Sequence, residues 1–248
     1  MSKQSGLGDR LYVGGYDLSG DVGALNRISG SVAPISVTGI NKSAPERIFG
    51  RRDGGIDYLA YFNDAANAAH VVLSALPRTD VIVQYGRGAS LGSPAAGCVA
   101  KQIDYPGARA EAGDFTFPVV SQGNGFALEW GVQLTAGTRT DTGATSGTAV
   151  DFGAGSAFGA SAYIQILGFT GVDATILIQA SSDNGVGDAF AEPSGGFAHT
   201  VTGARTAVRI RTSSAIERYV RVATVTTGGF SSLAFAVMVN VNEAASVL

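Results

Sequence analysis

A single cysteine, Cys98, stands among 248 residues, so no disulfide can form within the chain and the fold must hold by packing. As a lone thiol it is expected to be a small buried hydrophobe. Histidine is nearly as scarce. His70 and His199 lie in different halves of the chain and, with Cys98, offer no ligand spacing typical of zinc, so no metal or cofactor site is expected. No apolar run approaches the roughly 20 residues of a membrane span. The opening Met1-Ser-Lys-Gln-Ser-Gly6 lacks the apolar core of a secretory signal, so the chain is expected to be made and kept in a cytoplasm unless something larger carries it out. Charge is also thin. Lys and Arg number 17 against 20 Asp and Glu, a net charge of −3, which removes the electrostatic case for phosphate-led nucleic-acid binding. With 15% charged and 45% hydrophobic residues, two readings stand: a surface largely covered by neighbours, as in obligate oligomers, or an ordinary β protein rich in Ala and Gly.

What the chain does have is glycine, 35 of them, with short alternating runs between. That pattern belongs with sandwiches and barrels, where tight turns recur between short strands, and predicts a mainly β fold. Two blocks of strands flank a Gly, Thr, Ser and Ala stretch with no core-forming residue. The expected organisation is therefore residues 1–137, a linker over 138–158, and residues 159–248.

In the first block, Arg10 to Gly14, Ser31 to Ile40 and Ile56 to Phe62 read as extended pieces. Between the last two lies Asn41 to Gly55, polar, charged and rich in turn residues, which reads as a long loop. One helix is predicted over 65–76, capped by Asn63 or Asp64 and stopped by Pro77, with Ala65, Ala68, Ala69, Val72, Leu73 and Leu76 on one face. His70 on that helix is expected at the surface or an interface. Val81 to Tyr85 reads as a strand. Three more alternating runs, about Val99–Tyr105, Phe115–Val119 and Phe126–Leu134, predict an antiparallel meander. The second block predicts some six strands, with alternation clearest at Ala162–Ile166, Val208–Arg211, Tyr219–Val222 and Leu233–Val241. These describe a β-sandwich of the jelly-roll or immunoglobulin-like kind.

Chemical motifs are few. Gly88-Ala-Ser90-Leu-Gly92 matches the G-x-S-x-G nucleophile elbow, and Ser90, Asp173 or Asp183, and His199 mimic a hydrolase triad in order. The elbow needs a helix directly after the serine, whereas Pro94 and a strand pattern follow, so the match reads as accidental and no catalytic residue is assigned. Asp183-Asn-Gly-Val-Gly-Asp188, with Glu192 nearby, could be an oxygen-rich calcium turn, but it lacks EF-hand spacing and an Asx-type hairpin turn explains it unaided. Glu46, Arg47, Arg51, Arg52 and Asp53 cluster in the long loop. Either they are simply solvated, or they dock a neighbouring subunit, where paired charges set register.

The stretch Ala96 to Val132, with Val99-Ala-Lys-Gln-Ile-Asp-Tyr105 and Glu111-Ala-Gly-Asp-Phe-Thr-Phe-Pro-Val-Val-Ser-Gln-Gly-Asn-Gly125, resembles the tail tube (major tail) proteins of long-tailed bacteriophages. The loop at 41–55, the Gly-Gly-Ile-Asp strand and the flanking helix fall in that family's order. Ala162-Tyr-Ile-Gln-Ile166, Ser181 to Asn184, Arg218-Tyr-Val-Arg-Val222 and Phe230 to Phe235 look like the extra β-sandwich of major tail proteins from some actinobacterial phages.

The resemblance implies a tail-tube-like β-sandwich or barrel with one flanking helix, followed by a C-terminal decoration sandwich. It further implies hexameric rings stacked into a tube, other tail proteins as partners, and a genome that passes through the lumen without specific binding. The 46–53 charges would be inter-ring contacts, and the location the virion, with assembly in the host cytoplasm. The competing reading is a carbohydrate-binding or adhesion module that reaches host-surface glycans through the C-terminal domain. It draws on Tyr163 and Tyr219, expected to be exposed, and on the sandwich itself.

Overall fold

The computed structural model describes residues 5–243. Met1–Gln4, part of the stretch read for a signal, and residues 244–248, the end of the expected C-terminal domain, lie outside them.

Along the first half run β1 (Arg10–Val13), β2 (Tyr16–Asp17), β3 (Val22–Ser36), β4 (Arg47–Tyr61), α1 (Ala69–Leu73), β5 (Val81–Gly86), β6 (Pro94–Asp104), β7 (Ala108–Arg109), β8 (Phe115–Gly123) and β9 (Glu129–Gln133). There follow β10 (Arg139–Asp141), β11 (Thr145–Ser146), β12 (Val150–Asp151), β13 (Ala160–Gly171), β14 (Ala174–Ser181), β15 (Ala198–Val201), β16 (Thr206–Thr212), β17 (Tyr219–Val225) and β18 (Phe230–Val241). The fold is mainly β, as the glycine-punctuated alternation predicts.

Two compact units result, and neither is continuous in sequence. One takes the residues up to Gly20, Ile82–Gly97 and those from Trp130 onward; the other takes Asp21–Val81 and Cys98–Glu129. This division differs from the expected 1–137, 138–158 and 159–248.

The larger unit is a sandwich. One sheet has the order β16-β13-β18-β9, continuing through β6, β5, β1 and β2, with β10 also on β18; the other has β11-β17-β14-β15, with β12 on β17. Ile164, Ile166, Phe235 and Val237 from the first meet Ile176, Ile178, Val220 and Val222 from the second in one buried cluster. All six strands expected in the second block are present as β13–β18. The supposed linker is not free chain: β10 pairs with β18, and β11 and β12 pair with β17. Short polar strands of this kind are held by ladder hydrogen bonds and need no alternating apolar face.

Alternation along β13 gave a misleading outward face. Its residues from Ala160 to Leu167 are buried on both sides, and Tyr163 is 0% exposed. A Cβ on Gly97 would lie 2.6 Å from the Tyr163 ring, so only glycine admits that close approach. Gln165, also buried, accepts from the Gly15 amide at 2.8 Å and donates to the Ile82 carbonyl at 3.1 Å. Tyr219 is half-buried, with Arg218 stacked over its ring at 4.9 Å.

The smaller unit is built on β3, β4 and β8, with β6 and β7 pairing β8. Ile56, Tyr58 and Ala60 of β4, Phe117 and Val119 of β8, Cys98 and Leu128 are all buried. The expected order of the meander is not kept, because β9 pairs with β18 and β6 and not with β8, and Trp130 at its start is 51% exposed.

The helix is also shorter than 65–76. Asn67 sits at φ 66° and Ala68 is extended, which breaks the first turns, and α1 keeps only Ala69–Leu73. Its first amide is capped from far away: Asp21 accepts from the Ala69 amide at 2.9 Å and from the Asn63 side chain at 2.8 Å.

Candidate functional site: a bare β-arm

β3 and β4 pair antiparallel along their length, from Val22↔Ala60 at the root to Ser36↔Arg47 near the tip, with register shifts that twist the ribbon. The predicted loop 41–55 is therefore a correction. Only residues 37–46 form the connection, and Arg47, Arg51, Arg52 and Asp53 lie on a strand, with Glu46 just before it.

The root is firmly held. Ser121 of β8 donates to the Ile56 carbonyl at 2.6 Å and accepts from its amide at 3.0 Å. Asp57 pairs with Arg27 across the ribbon at 2.7 Å and accepts from the Ser121 amide at 3.0 Å. At Gly54 a Cβ would lie 2.6 Å from the Leu128 Cβ, so the root packs too closely there for any side chain.

Beyond Gly54 none of the described residues outside the ribbon packs on it. Every residue from Gly30 to Phe49 is exposed, and so are Arg51, Arg52 and Asp53. The exposed set includes Phe49 at 87%, Ile48 at 52%, Ile35 at 48% and Ile40 at the tip. Cross-strand partners share a face. Hence Val32 with Arg52, Pro34 with Phe49 and Ser36 with Arg47 form one side, and Ile35 with Ile48 the other. At the tip Lys42 pairs with Glu46 at 3.0 Å, and near the root the Asp53 carboxylate accepts from the Gly54 amide at 2.7 Å. Arg47, Arg51 and Arg52 make no ion pair among the described residues.

A second surface feature of the same unit was not foreseen. Phe62 stacks on Phe115 at 5.1 Å between centroids, Tyr105 stacks on Phe117 at 4.4 Å, and His70 sits between them, 4.6 Å from Phe62 and 5.9 Å from Tyr105. The His70 Nδ1 and the Tyr105 hydroxyl are 3.3 Å apart. His70 is thus half-buried in an aromatic cluster. Phe62 and Phe115 keep 40% and 39% of their surface exposed. The sequence signal was available, since Phe62 follows β4, Tyr105 follows β6, and Phe115 and Phe117 lie on β8, but nothing in the spacing says that they converge.

The other motifs resolve into structure. Ser90 lies in the turn between β5 and β6, strand to strand with no helix, lining an open hollow of about 510 Å³ with Arg87, Leu91 and Pro94. His199 pairs with Ile176 in the β14–β15 ladder, and burial holds its imidazole below the ordinary range. Asp183 spends its carboxylate on the backbone amides of Val186 at 3.0 Å, Gly187 at 2.5 Å and Asp188 at 3.1 Å. Those bonds hold it below the usual carboxylate value, as in an Asx-type turn. Asp173 is held low in the same way by the amides of Thr227 and Gly228. Burial pushes Cys98 up to about 11 and, with the hydrogen bond to Asp9, Tyr85 up to about 12.

No family model matches the chain, and no curated protein does. Among solved structures, a chain from the virion of a native gene transfer agent particle is similar at 15% identity, covering 50% of this chain and 97% of that one, with a TM-score of 0.41. The SPP1 Dit protein, described as a paradigm of the hub adsorption apparatus in phages infecting Gram-positive bacteria, is similar at 11% identity. It covers 94% of this chain and 98% of its own, with a TM-score of 0.33. Likeness of this degree carries no argument about what the chain does.

Proposed function

We propose that the chain is a structural virion subunit that self-associates into a phage tail, with hexameric rings stacking into a tube through which the genome passes. The observation that carries self-association is the bare arm. A two-stranded ribbon with no packed face is marginal in water, and an arm carrying Phe49, Ile48 and Ile35 in the open is stable and soluble only when something covers it. The tail-tube character of that assembly rests on the sequence resemblance. The sugar-binding reading loses its aromatic support, because Tyr163 is fully buried and Tyr219 lies under Arg218.

Sedimentation velocity and negative-stain microscopy of the purified chain test this. Gly30 and Gly54 face each other across the ribbon, so residues 31–53 can be replaced by Asn-Gly, a two-residue turn suited to a hairpin. The full chain is expected to form rings or tubes, and the armless chain to stay folded and monomeric. A full chain that remains monomeric at high concentration overturns the reading.

A further inference from the structure

The ribbon of the arm has two edges, and they differ. Val37 donates to the Glu46 carbonyl at 3.0 Å, so 37 and 46 bond inward, and by alternation Ser36–Arg47 and Pro34–Phe49 are pairs whose backbone groups face outward. The root gives the same count. Ser121 of β8 engages both the amide and the carbonyl of Ile56 on the outer side of β4. Gly54 and Arg52, at steps of two in an unshifted register, therefore face outward as well.

On the outer edge of β3, between Val32 and Ser36, stands Pro34, which has no amide to offer an incoming strand. The edge of β4 has no such block. β8 pairs with β4 only over Tyr58–Tyr61 and then turns to β6. The outer amides of Arg47, Phe49 and Arg52 thus have no strand beside them among the described residues. Gly54 ends the open stretch, since its amide is already taken by the Asp53 carboxylate. The side chains of Arg47, Phe49 and Arg52 share one face, so the open edge reads cation, ring, cation, and exposed Arg51 adds a further cation beside it.

We propose that the outer edge of β4 over 47–52 accepts an extended acidic segment of another protein as an added strand, with carboxylates beside Arg47 and Arg52 and an apolar side chain beside Phe49. In such a contact the main-chain bonds supply affinity and the alternate side chains supply selectivity. Two copies of this edge laid against each other would bring like charges together across the ladder, which is destabilising. Among the described strands only β4 itself carries two carboxylates, so a second copy has no other strand with the required pattern. The proposal does not rest on self-association, for which the faces of the ribbon remain.

Fluorescence anisotropy of a labelled peptide, Thr-Glu-Thr-Val-Thr-Glu-Thr, against the full chain makes the test, with lysine replacing glutamate in a control peptide. The acidic peptide is expected to bind at least about tenfold more tightly than the control. Phe49→Pro removes one outward amide that makes no bond within the ribbon, and circular dichroism checks that the variant folds. It is expected to weaken binding at least about tenfold more than Phe49→Ala, which loses the ring and keeps the amide. Arg47→Glu with Arg52→Glu reads the charges alone and is expected to reverse the preference, so that the lysine peptide binds better.

If neither peptide binds the wild-type chain, or if both bind equally, the proposal falls. It falls too if Phe49→Pro and Phe49→Ala bind the acidic peptide alike, because the backbone edge then takes no part. A wild-type chain that retains a DNA oligonucleotide through Arg47 and Arg52 and ignores the acidic peptide would assign the arm to nucleic acid and overturn the proposal. Sedimentation of the unlabelled chain reads self-association separately, so failure here leaves that reading standing.

Discussion

Arg139 and Asp141, two residues apart on β10, grip each other by two bonds, Nε to Oδ1 at 2.8 Å and Nη2 to Oδ2 at 2.7 Å. The pair is a hub. Arg139 also donates to the Val222 carbonyl at 3.1 Å and the Thr145 carbonyl at 3.0 Å, its guanidinium lies 5.5 Å from the Phe235 ring centroid, and Asp141 accepts from the Thr224 hydroxyl at 2.7 Å. It therefore stitches β10, paired to β18 in one sheet, to β17 and β11 in the other.

Removing one member leaves the other buried without its counter-charge, a loss of about 3–5 kcal/mol where both are well shielded. The Asp141 side chain is 4% exposed and that of Arg139 17%. Asp141→Ala is accordingly expected to lower unfolding free energy by about 3 kcal/mol in urea titration. A loss below about 1 kcal/mol, the range of an exposed pair, would contradict the hub.

Stopping the chain after Gly147 tests the same region from another side. Such a chain lacks β13 and β18, so β9 keeps only its β6 side, β10 loses its ladder on β18 and Leu134 loses its cluster. The truncated chain is expected to be insoluble or to lack a cooperative thermal transition. A soluble fragment with a sharp transition would show that the sandwich is dispensable for the rest.

Stability should depend on pH through His199. Burial holds its folded-state value below the ordinary 6.5, so the unfolded chain binds the proton more readily. Its contribution is full above about pH 6.5 and declines as pH falls through the folded value. A second decline follows below about 3.8, where the bonds to Asp173 and Asp183 are lost on protonation. Urea midpoints measured across pH should show the first decline in the wild-type chain and not in His199→Gln. Equal slopes in both would assign the decline elsewhere.

Cys98 should be silent. Its thiol is buried, and burial raises its value to about 11, so neither access nor thiolate is available at neutral pH. A thiol reagent such as DTNB is expected to react at the rate of unfolding and promptly in denaturant. Rapid labelling of the native chain would show that the site opens.

How much of this was legible in the sequence depends on what creates an alternating pattern. β17 stands out because one face meets a core and the other is wetter, so apolar and polar residues must alternate. β13 shows the same period although both its faces are buried, and Tyr163 was misread for that reason. The arm lies at the opposite limit: with no core on either face, nothing forces alternation, and Gly50, Gly54, Gly55 and the arginines look like turn chemistry. Pairing, not side-chain burial, makes it a strand. The charges at 46–53 are visible in the sequence as a cluster, but the strand that carries them is not. The Phe62–Phe115 face was missed because its members come from β8, from segments beside β4 and β6 and from α1, separated in sequence by tens of residues.

The arm also has a mechanical meaning. β4 runs unbroken from exposed Arg47 to Tyr61, and its last four residues pair with Thr116–Val119 of β8. Ladder bonds lie across the strand direction. A pull on the tip along the ribbon axis therefore loads the root bonds together, in shear, instead of opening them one after another. A particle that clasped its subunits by such arms would resist traction along the ribbon far better than bending across it.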